Sequence, residues 1–251
     1  MLEFAAVAAG ALAILFGGLL KGVVGMGAPL FAIPVLAAIY GVPTALAVMT
    51  LPLIASNLWQ MWTYRTATEG RGALALMLAG GVIGIAIGTA LLGIVPEAWL
   101  ATTLGVLLLV YLGVHMARPE FAVTPSAARR AALPVGVVTG MMQGAAGVST
   151  PVSVTFIHSQ RLPREAHLFA VSSMFTIMAV TQVVALSAVG IMDLRLAATS
   201  VAALAPILIG VWLGQILGEH VSRQVFERLT LVVLLLVALG LLARSLPQIL
   251  G

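Results

Sequence analysis

The sequence has 251 residues, of which 61% are hydrophobic and only 8% are charged, and its mean hydropathy is +1.16. Soluble domains carry roughly a quarter charged residues, so a soluble fold is excluded and lipid must cover most of the surface. The net charge of +4 comes from basic residues scattered in short segments, a pattern typical of membrane-protein loops and not of nucleic-acid binding. No cysteine is present, so disulfides and thiolate metal sites are excluded.

Apolar stretches follow one another along the chain, and a helix needs about 20 apolar residues to cross a bilayer. They cover about 2–20, 22–40, 44–63, 72–94, 97–117, 131–142, 144–158, 166–190, 196–218 and 223–243. A polar stretch at 118–130 divides them. The first stretch has no basic leader, so we expect it to stay in the membrane and not to be a cleaved signal. The sequence predicts an all-α polytopic membrane protein.

Helix-breaking residues occur in two similar segments. Residues 21–29 read K-G-V-V-G-M-G-A-P, and residues 143–151 read Q-G-A-A-G-V-S-T-P. At a shift of 122 residues, two glycines and one proline coincide. A match in this order indicates a duplication, and we divide the chain into an N-terminal repeat at 1–122 and a C-terminal repeat at 123–251.

Arginines predict which helix ends face the cytoplasm. The segments 64–71, 118–130 and 159–167 carry at least two arginines each, whereas the turn near Pro96 has only Glu97. If 118–130 and 159–167 share a side, the 28 residues between them must enter the membrane and return. That is short for two full spans at about 1.5 Å per residue, so a re-entrant hairpin or two short broken helices are predicted.

Each repeat then has one broken, re-entrant element and three transmembrane helices, which makes about eight helical elements or more. The odd number of spans in a repeat makes the two repeats inverted. Inverted repeats with broken helices hold the substrate near the midplane, at the N-termini of half-helices.

Those N-termini are predicted to bind an anion. Thr150 before Pro151 resembles a helix N-cap followed by proline at the first helical position. Two such ends carry partial positive charge and N–H donors, which suit an anion. The residues predicted to face it are Gly25, Gly27, Gly147, Ser149 and Thr150.

Glycines also have a simpler explanation, because small residues let membrane helices approach closely. We favour this explanation for Gly84, Gly88, Gly210 and Gly214, which coincide at a shift of 126. For the two Gly-Pro breaks we favour the anion site, because the breaks themselves repeat.

The Gly-rich break after an apolar first segment, its recurrence in the second half and the chain length resemble the TauE/SafE family of sulfite and organosulfonate permeases. The resemblance covers about Phe4 to Ala243 and rests on glycine patterns rather than on catalytic signatures. It implies a multi-pass permease or exporter of the bacterial inner membrane, for sulfite, an organosulfonate or a related sulfur-containing anion. It does not choose among these anions or between import and export.

Polar side chains inside the apolar stretches are further candidates for lining the site. Lys21 is the only lysine and lies beside the first break, with Gln143 at the equivalent position. Asn57 and Gln60 share one helix face, and Gln182 is equivalent to Gln60 at the shift of 122. Lys21 either faces an anion or lies in a cytoplasmic turn, and the amides either bind substrate or join helices.

No Asp or Glu lies in the middle of an apolar stretch, so the carboxylates that commonly couple transport to protons or sodium are missing. We expect coupling through other groups, or transport driven by the substrate gradient and the membrane potential. His158 and His167 are expected at the membrane interface, and the alternative is a role in proton transfer.

The sequence predicts a small-anion transporter that works by alternating access between inverted repeats. The alternatives are a channel or permease for another small organic anion and a structural membrane subunit. An enzyme is not expected, because no histidine-bearing helix clearly points to Ser149 as its base. The expected partners are the anionic substrate and the lipid bilayer, without nucleic acid, metal or cofactor, and a homodimer is possible.

Overall fold

The structure, a computed structural model, describes residues 2–24, 28–117, 122–218 and 223–250. Within these ranges the regular elements are helices and no strand occurs. The helices are α1 (Leu2–Val24), α2 (Ala28–Tyr40), α3 (Val42–Thr63), α4 (Arg71–Ile94), α5 (Glu97–Ala117), α6 (Pro125–Ala146), α7 (Thr150–Ser159), α8 (Arg164–Ala188), α9 (Leu194–Ala202), α10 (Leu204–Leu217) and α11 (Arg223–Leu250).

Seven spans in the described chain are long and apolar enough to cross a membrane. They are α1, α3, α4, α5, α8, α11 and the pair α9–α10, which counts as one span. The predicted all-α, multi-pass membrane protein is therefore confirmed.

The polar stretch before the second break is partly helical, which charge alone did not predict. α6 begins at Pro125, where the Thr124 hydroxyl accepts a hydrogen bond from the Ala127 N–H at 3.4 Å. Arg129 and Arg130 follow within the helix and are exposed, because a helix tolerates charges on a face that meets water. The cap, and not the last charged residue, sets the start of this helix.

α6 and α7 form a hairpin whose two ends lie together. The Val123 N–H donates to the Ser159 carbonyl at 2.9 Å, so the chain leaves and re-joins the same end of the bundle. α7 has only 10 residues, about 15 Å of helix, which is half the hydrocarbon thickness of about 30 Å. This is the geometry of a re-entrant hairpin.

α1 and α2 form the corresponding hairpin in the first half of the chain. α2 has 13 residues and runs back along α1, because Gly17 lies against Ala28 whereas Gly10 lies against the Tyr40 ring. Lys21 is inside the last turns of α1 and is buried. Of the two alternatives for this lysine, the cytoplasmic turn is therefore wrong, since the helix continues past it to Val24.

Each hairpin packs on a helix from the other half through contacts between backbones. A Cβ added to Gly84 or Gly88 of α4 would overlap the backbone of α6, and one added to Gly210 or Gly214 of α10 would overlap that of α1. The carbonyls in the way are those of Val137, Met141, Leu15 and Leu19. Residue numbers rise together along both pairs, so the helices of each pair run parallel. These contacts support close packing as the role of the four glycines.

Pro52 interrupts the hydrogen bonding of α3 near its middle. Proline has no N–H, so the carbonyl of Val48 cannot receive its usual helical bond. The buried Ser200 hydroxyl of α9 donates to this oxygen at 2.8 Å and accepts the Leu51 N–H at 3.2 Å. Ser200 therefore satisfies the Val48 carbonyl, which Pro52 leaves without its helical partner inside the membrane.

We expect Ser200→Ala to lower the free energy of unfolding by about 1–3 kcal/mol, because it leaves buried backbone groups of α3 without a partner. Thermal unfolding in detergent measures the change, with Thr199→Ala as the matched control. The exposed Thr199 hydroxyl donates only within its own helix, to the Arg195 carbonyl. Equal losses in the two variants would contradict the role assigned to Ser200.

We expect Gly84→Ala to destabilise the protein by about 1–3 kcal/mol, because the added methyl group would overlap the Val137 carbonyl oxygen. Gly113→Ala in α5 is the control, since nothing lies within 4 Å of the added carbon. Alanine favours a helix over glycine by about 1 kcal/mol, so this variant should gain stability in the same unfolding measurement. If both alanines stabilise the protein, α4 and α6 are not in backbone contact.

Candidate functional site

A cavity of about 860 Å³ opens at the end of the bundle where the segments 64–71 and 159–167 meet. α1, α3, α10 and the connection from α7 to α8 form its walls. Its titratable lining residues are Lys21, Tyr64, His158, Arg161, Arg164 and His167. No Asp or Glu occurs among the described residues that line it. We call it the basic cavity.

Lys21 forms the inner part of the basic cavity and is only 7% exposed. Its Nζ donates to Asn57 Oδ1 at 2.5 Å and to Ser56 Oγ at 3.3 Å. Asn57 is oriented for this contact, because its Nδ2 donates to the Leu53 carbonyl at 2.8 Å and turns its oxygen towards the ammonium. Both partners of Lys21 are neutral, so no counter-charge contacts its amino group among the described residues.

The connection between α7 and α8 brings two arginines to the mouth of the basic cavity. Arg161 has a φ of 49°, a left-handed conformation, and its N–H donates to the His158 carbonyl at 3.0 Å. This tight turn lets α8 start at Arg164. Both arginines are exposed, so they add positive charge where the cavity meets water.

Two histidines face each other across the same connection. His158 lies in the last turn of α7, and His167 lies in the first turn of α8. Their rings are 6.0 Å apart, centroid to centroid, and nearly perpendicular. Both rings line the basic cavity.

Three of the predicted residues form a separate, buried cluster at the second break, which we call the Gln143 cluster. Ser149 Oγ donates to Gln143 Oε1 at 2.8 Å, and Gln182 Nε2 donates to the Gln143 carbonyl at 3.4 Å. The same carbonyl accepts the Gly147 N–H at 2.8 Å. The three side chains are at most 2% exposed. Here the amides join α6 to α8, as in the second interpretation given for them.

The basic cavity and the Gln143 cluster lie at different depths. Asn57 is six residues from the end of α3, or about 9 Å. Gln182 is eighteen residues from the start of α8, or about 27 Å. Because these two helix ends meet at the basic cavity, the Gln143 cluster lies deeper in the bundle than Asn57. The predicted residues therefore come together in two places and not in one.

The second break also differs in detail from the prediction. The N-cap of α7 is Ser149, whose hydroxyl makes no capping bond, and Thr150 is the first helical residue. The prediction of Thr150 as the cap is therefore wrong by one position. Gly147 ends α6 with a φ of 71°, a conformation that favours glycine, and a Cβ there would overlap Leu46 and Ile33. Gly147 thus lies among apolar side chains.

Of the other predicted residues, Lys21 and Gln60 line the basic cavity and Asn57 supports Lys21. Gly25 and Gly27 lie outside the described residues. Sequence analysis missed as site residues Trp59, His158, Arg161, Arg164, His167 and Gln215. One signal was available: the segment 159–167 follows a helix too short to span, so its polar residues had to lie at the mouth of the re-entrant hairpin.

The described residues provide binding groups rather than reactive ones. No three His, Asp or Glu side chains among them converge as metal ligands. The Ser149 hydroxyl donates to an amide oxygen and not to a histidine, so it lacks the base that a nucleophile needs.

A comparison with protein families supports the same view. The profile described as Sulfite exporter TauE/SafE matches residues 10–241, nearly the whole chain. Comparisons with curated proteins and with solved structures gave no match. Members of this family are membrane transporters rather than enzymes, and the chain is a multi-pass membrane transporter. By this match and its helical architecture, the chain belongs to the sulfite exporter TauE/SafE family.

Proposed function

We propose that this transporter carries a small sulfur-containing oxyanion, such as sulfite or an organosulfonate, across a bacterial inner membrane, and that the anion binds in the basic cavity. The observation that carries the proposal is the buried amino group of Lys21, which contacts neutral partners and faces a cavity whose described lining holds no carboxylate. A charge buried without a counter-charge is costly, and charged residues inside membrane segments usually mark the substrate path. A bound anion supplies the missing charge.

The remaining lining residues suit an oxyanion. Its oxygens accept several hydrogen bonds at once, and charged donors make the strongest of these. Lys21 supplies such a donor, Gln60 and Gln215 bring amide groups, and the arginines at the mouth attract anions from solution.

The relation between the two clusters supports alternating access. At the shift of 122, Lys21 corresponds to Gln143 and Gln60 corresponds to Gln182, so the basic cavity and the Gln143 cluster are equivalent regions of the proposed repeats 1–122 and 123–251. The first region is open and the second is closed by its own hydrogen bonds. If the first region closed and the second opened, the substrate would become accessible from the other side of the membrane.

We expect Lys21→Met to abolish anion binding without weakening the empty protein. Thermal unfolding is followed with sulfite, sulfate, methanesulfonate or acetate. A ligand at 100 times its dissociation constant should add about 2.7 kcal/mol to the wild type and nothing to the variant. Without anion the variant should be at least as stable as the wild type, because an unneutralised buried charge has been removed.

The control for Lys21→Met is Arg195→Gln, which also removes one positive charge but from an exposed position of α9 outside the cavity. This variant should keep the full anion effect. The proposal fails if no anion stabilises the wild type, or if Lys21→Met responds as the wild type does. A response to acetate alone would replace the sulfur oxyanion by a carboxylate substrate.

We expect Ser149→Ala to lower the free energy of unfolding by about 1 kcal/mol and to keep the anion effect. The substitution removes the hydrogen bond that Ser149 Oγ donates to Gln143 Oε1. Neither residue lines the cavity that contains Lys21. The same series of unfolding curves tests this. If Ser149→Ala loses the anion effect as Lys21→Met does, the anion binds at the second break, as the sequence had predicted.

A further inference from the structure

We propose that His158 and His167 form a proton-binding pair, and that binding of an anion in the basic cavity is linked to the uptake of a proton by this pair. The inference rests on the function proposed for the cavity. It assigns a coupling group to a transporter whose sequence shows no carboxylate in the middle of an apolar stretch.

The geometry of the pair suits one shared function. The rings are 6.0 Å apart and both line the basic cavity, so an anion in the cavity lies near both. Imidazole is the side chain whose ordinary pKa, about 6.5, falls within the physiological pH range. The pair also joins the end of the re-entrant α7 to the start of α8, two elements that must move relative to each other if the hairpin takes part in access.

The charges around the pair favour protonation only when an anion is present. The groups that share the cavity with it are the cationic Lys21, Arg161 and Arg164 and the phenol of Tyr64. In an empty cavity these cations oppose a further positive charge. An anion reverses the sign of the local field, so that an added proton is stabilised.

The other elements that pack against α7 and α8 add no group to the lining. α3, which packs against α8, presents no charged side chain within its helical span. The titratable side chains on α4, α5, α6 and α8 near this end are Arg71, His115, Arg129, Arg130 and Glu165, and none of them lines the cavity. The guanidinium of Arg71 lies over the Phe169 ring at 5.2 Å, turned to an aromatic face and not to the histidines.

The linkage has a definite sign. Because the anion favours the protonated pair, affinity is highest at low pH and falls as the pH rises through the range in which the anion-bound pair loses its proton. For one linked proton the dissociation constant rises by at most about tenfold per pH unit.

Calorimetric titration of the purified full chain tests the inference. Methanesulfonate and sulfate are the probes, because both stay ionised between about pH 5 and 8 and any proton taken up must bind to the protein. Titration in two buffers with different ionisation enthalpies gives the number of protons bound per anion. The wild type should take up a fraction of a proton per anion at a pH at which the empty pair is deprotonated and the anion-bound pair is protonated. The double variant H158Q/H167Q should take up no proton when it binds an anion, and its affinity for the anion should vary little with pH.

His115→Gln is the matched control, since His115 lies in the last turn of α5 at the same end of the bundle but outside the cavity. It should take up protons as the wild type does. The single variants H158Q and H167Q serve for the comparison if the double variant does not fold.

Three outcomes overturn the inference. The first is anion binding by the wild type without proton uptake, and the second is equal proton uptake by the wild type and the histidine variants. Either result contradicts the proton pair but leaves the proposed anion site standing. Absence of binding by every anion tested, sulfite included, removes the anion site and the proton pair with it.

Discussion

Contacts between backbones at glycine hold the hairpins α1–α2 and α6–α7 against the rest of the helix bundle. A helix that ends at membrane depth exposes unpaired backbone groups, and these are tolerated only where protein or a water-filled cavity surrounds them. Gly22 lies directly against the Val211 carbonyl of α10, and Gly144 lies in the same way against the Ile85 carbonyl of α4. Each hairpin is thus clamped to a helix from the other half of the chain.

The same contacts direct the polar side chains beside them. Successive residues of a helix point about 100° apart. Because Gly22 occupies the contact with α10, Lys21 must point away from it, and it reaches Asn57 on α3. The side chain of Gln143, which precedes Gly144, leaves the contact with α4 in the corresponding manner and accepts a hydrogen bond from Ser149. One packing rule, used twice, therefore positions both clusters.

The two clusters differ in chemistry although they are placed alike. The oxygens of the Gln143 cluster are satisfied by Gln182, Ser149 and the turn itself, so the cluster can close without a ligand. The ammonium of Lys21 has its hydrogen bonds but no counter-charge in the described cavity. A transporter that is accessible from one side of the membrane requires one open and one closed region. Here the open region contains Lys21, and the closed region is neutral.

The sequence predicted the breaks of both hairpins and the four packing glycines, because both depend on local residue types at a constant shift. It did not predict that Lys21 and Gln143 belong to clusters at different depths. Depth depends on where each helix starts, and a threonine cap at 124 decides this for α6, inside a segment that charge marked as a loop. Nor could it pair Pro52 with Ser200, because that contact joins residues nearly 150 positions apart.

The proposed proton pair would act on transport in the opposite way to the membrane potential. An inside-negative potential expels an anion by about 2.3 kcal/mol per charge per 100 mV, so export of a monoanion alone requires no coupling ion. A monoanion that moves with one proton carries no net charge and loses this driving force, but it gains the pH gradient in exchange. If His158 and His167 keep their proton through the transport step, the potential no longer opposes entry, and the same cavity supports uptake as well as export. The direction of transport then depends on whether the proton crosses with the anion, and not on the anion site itself.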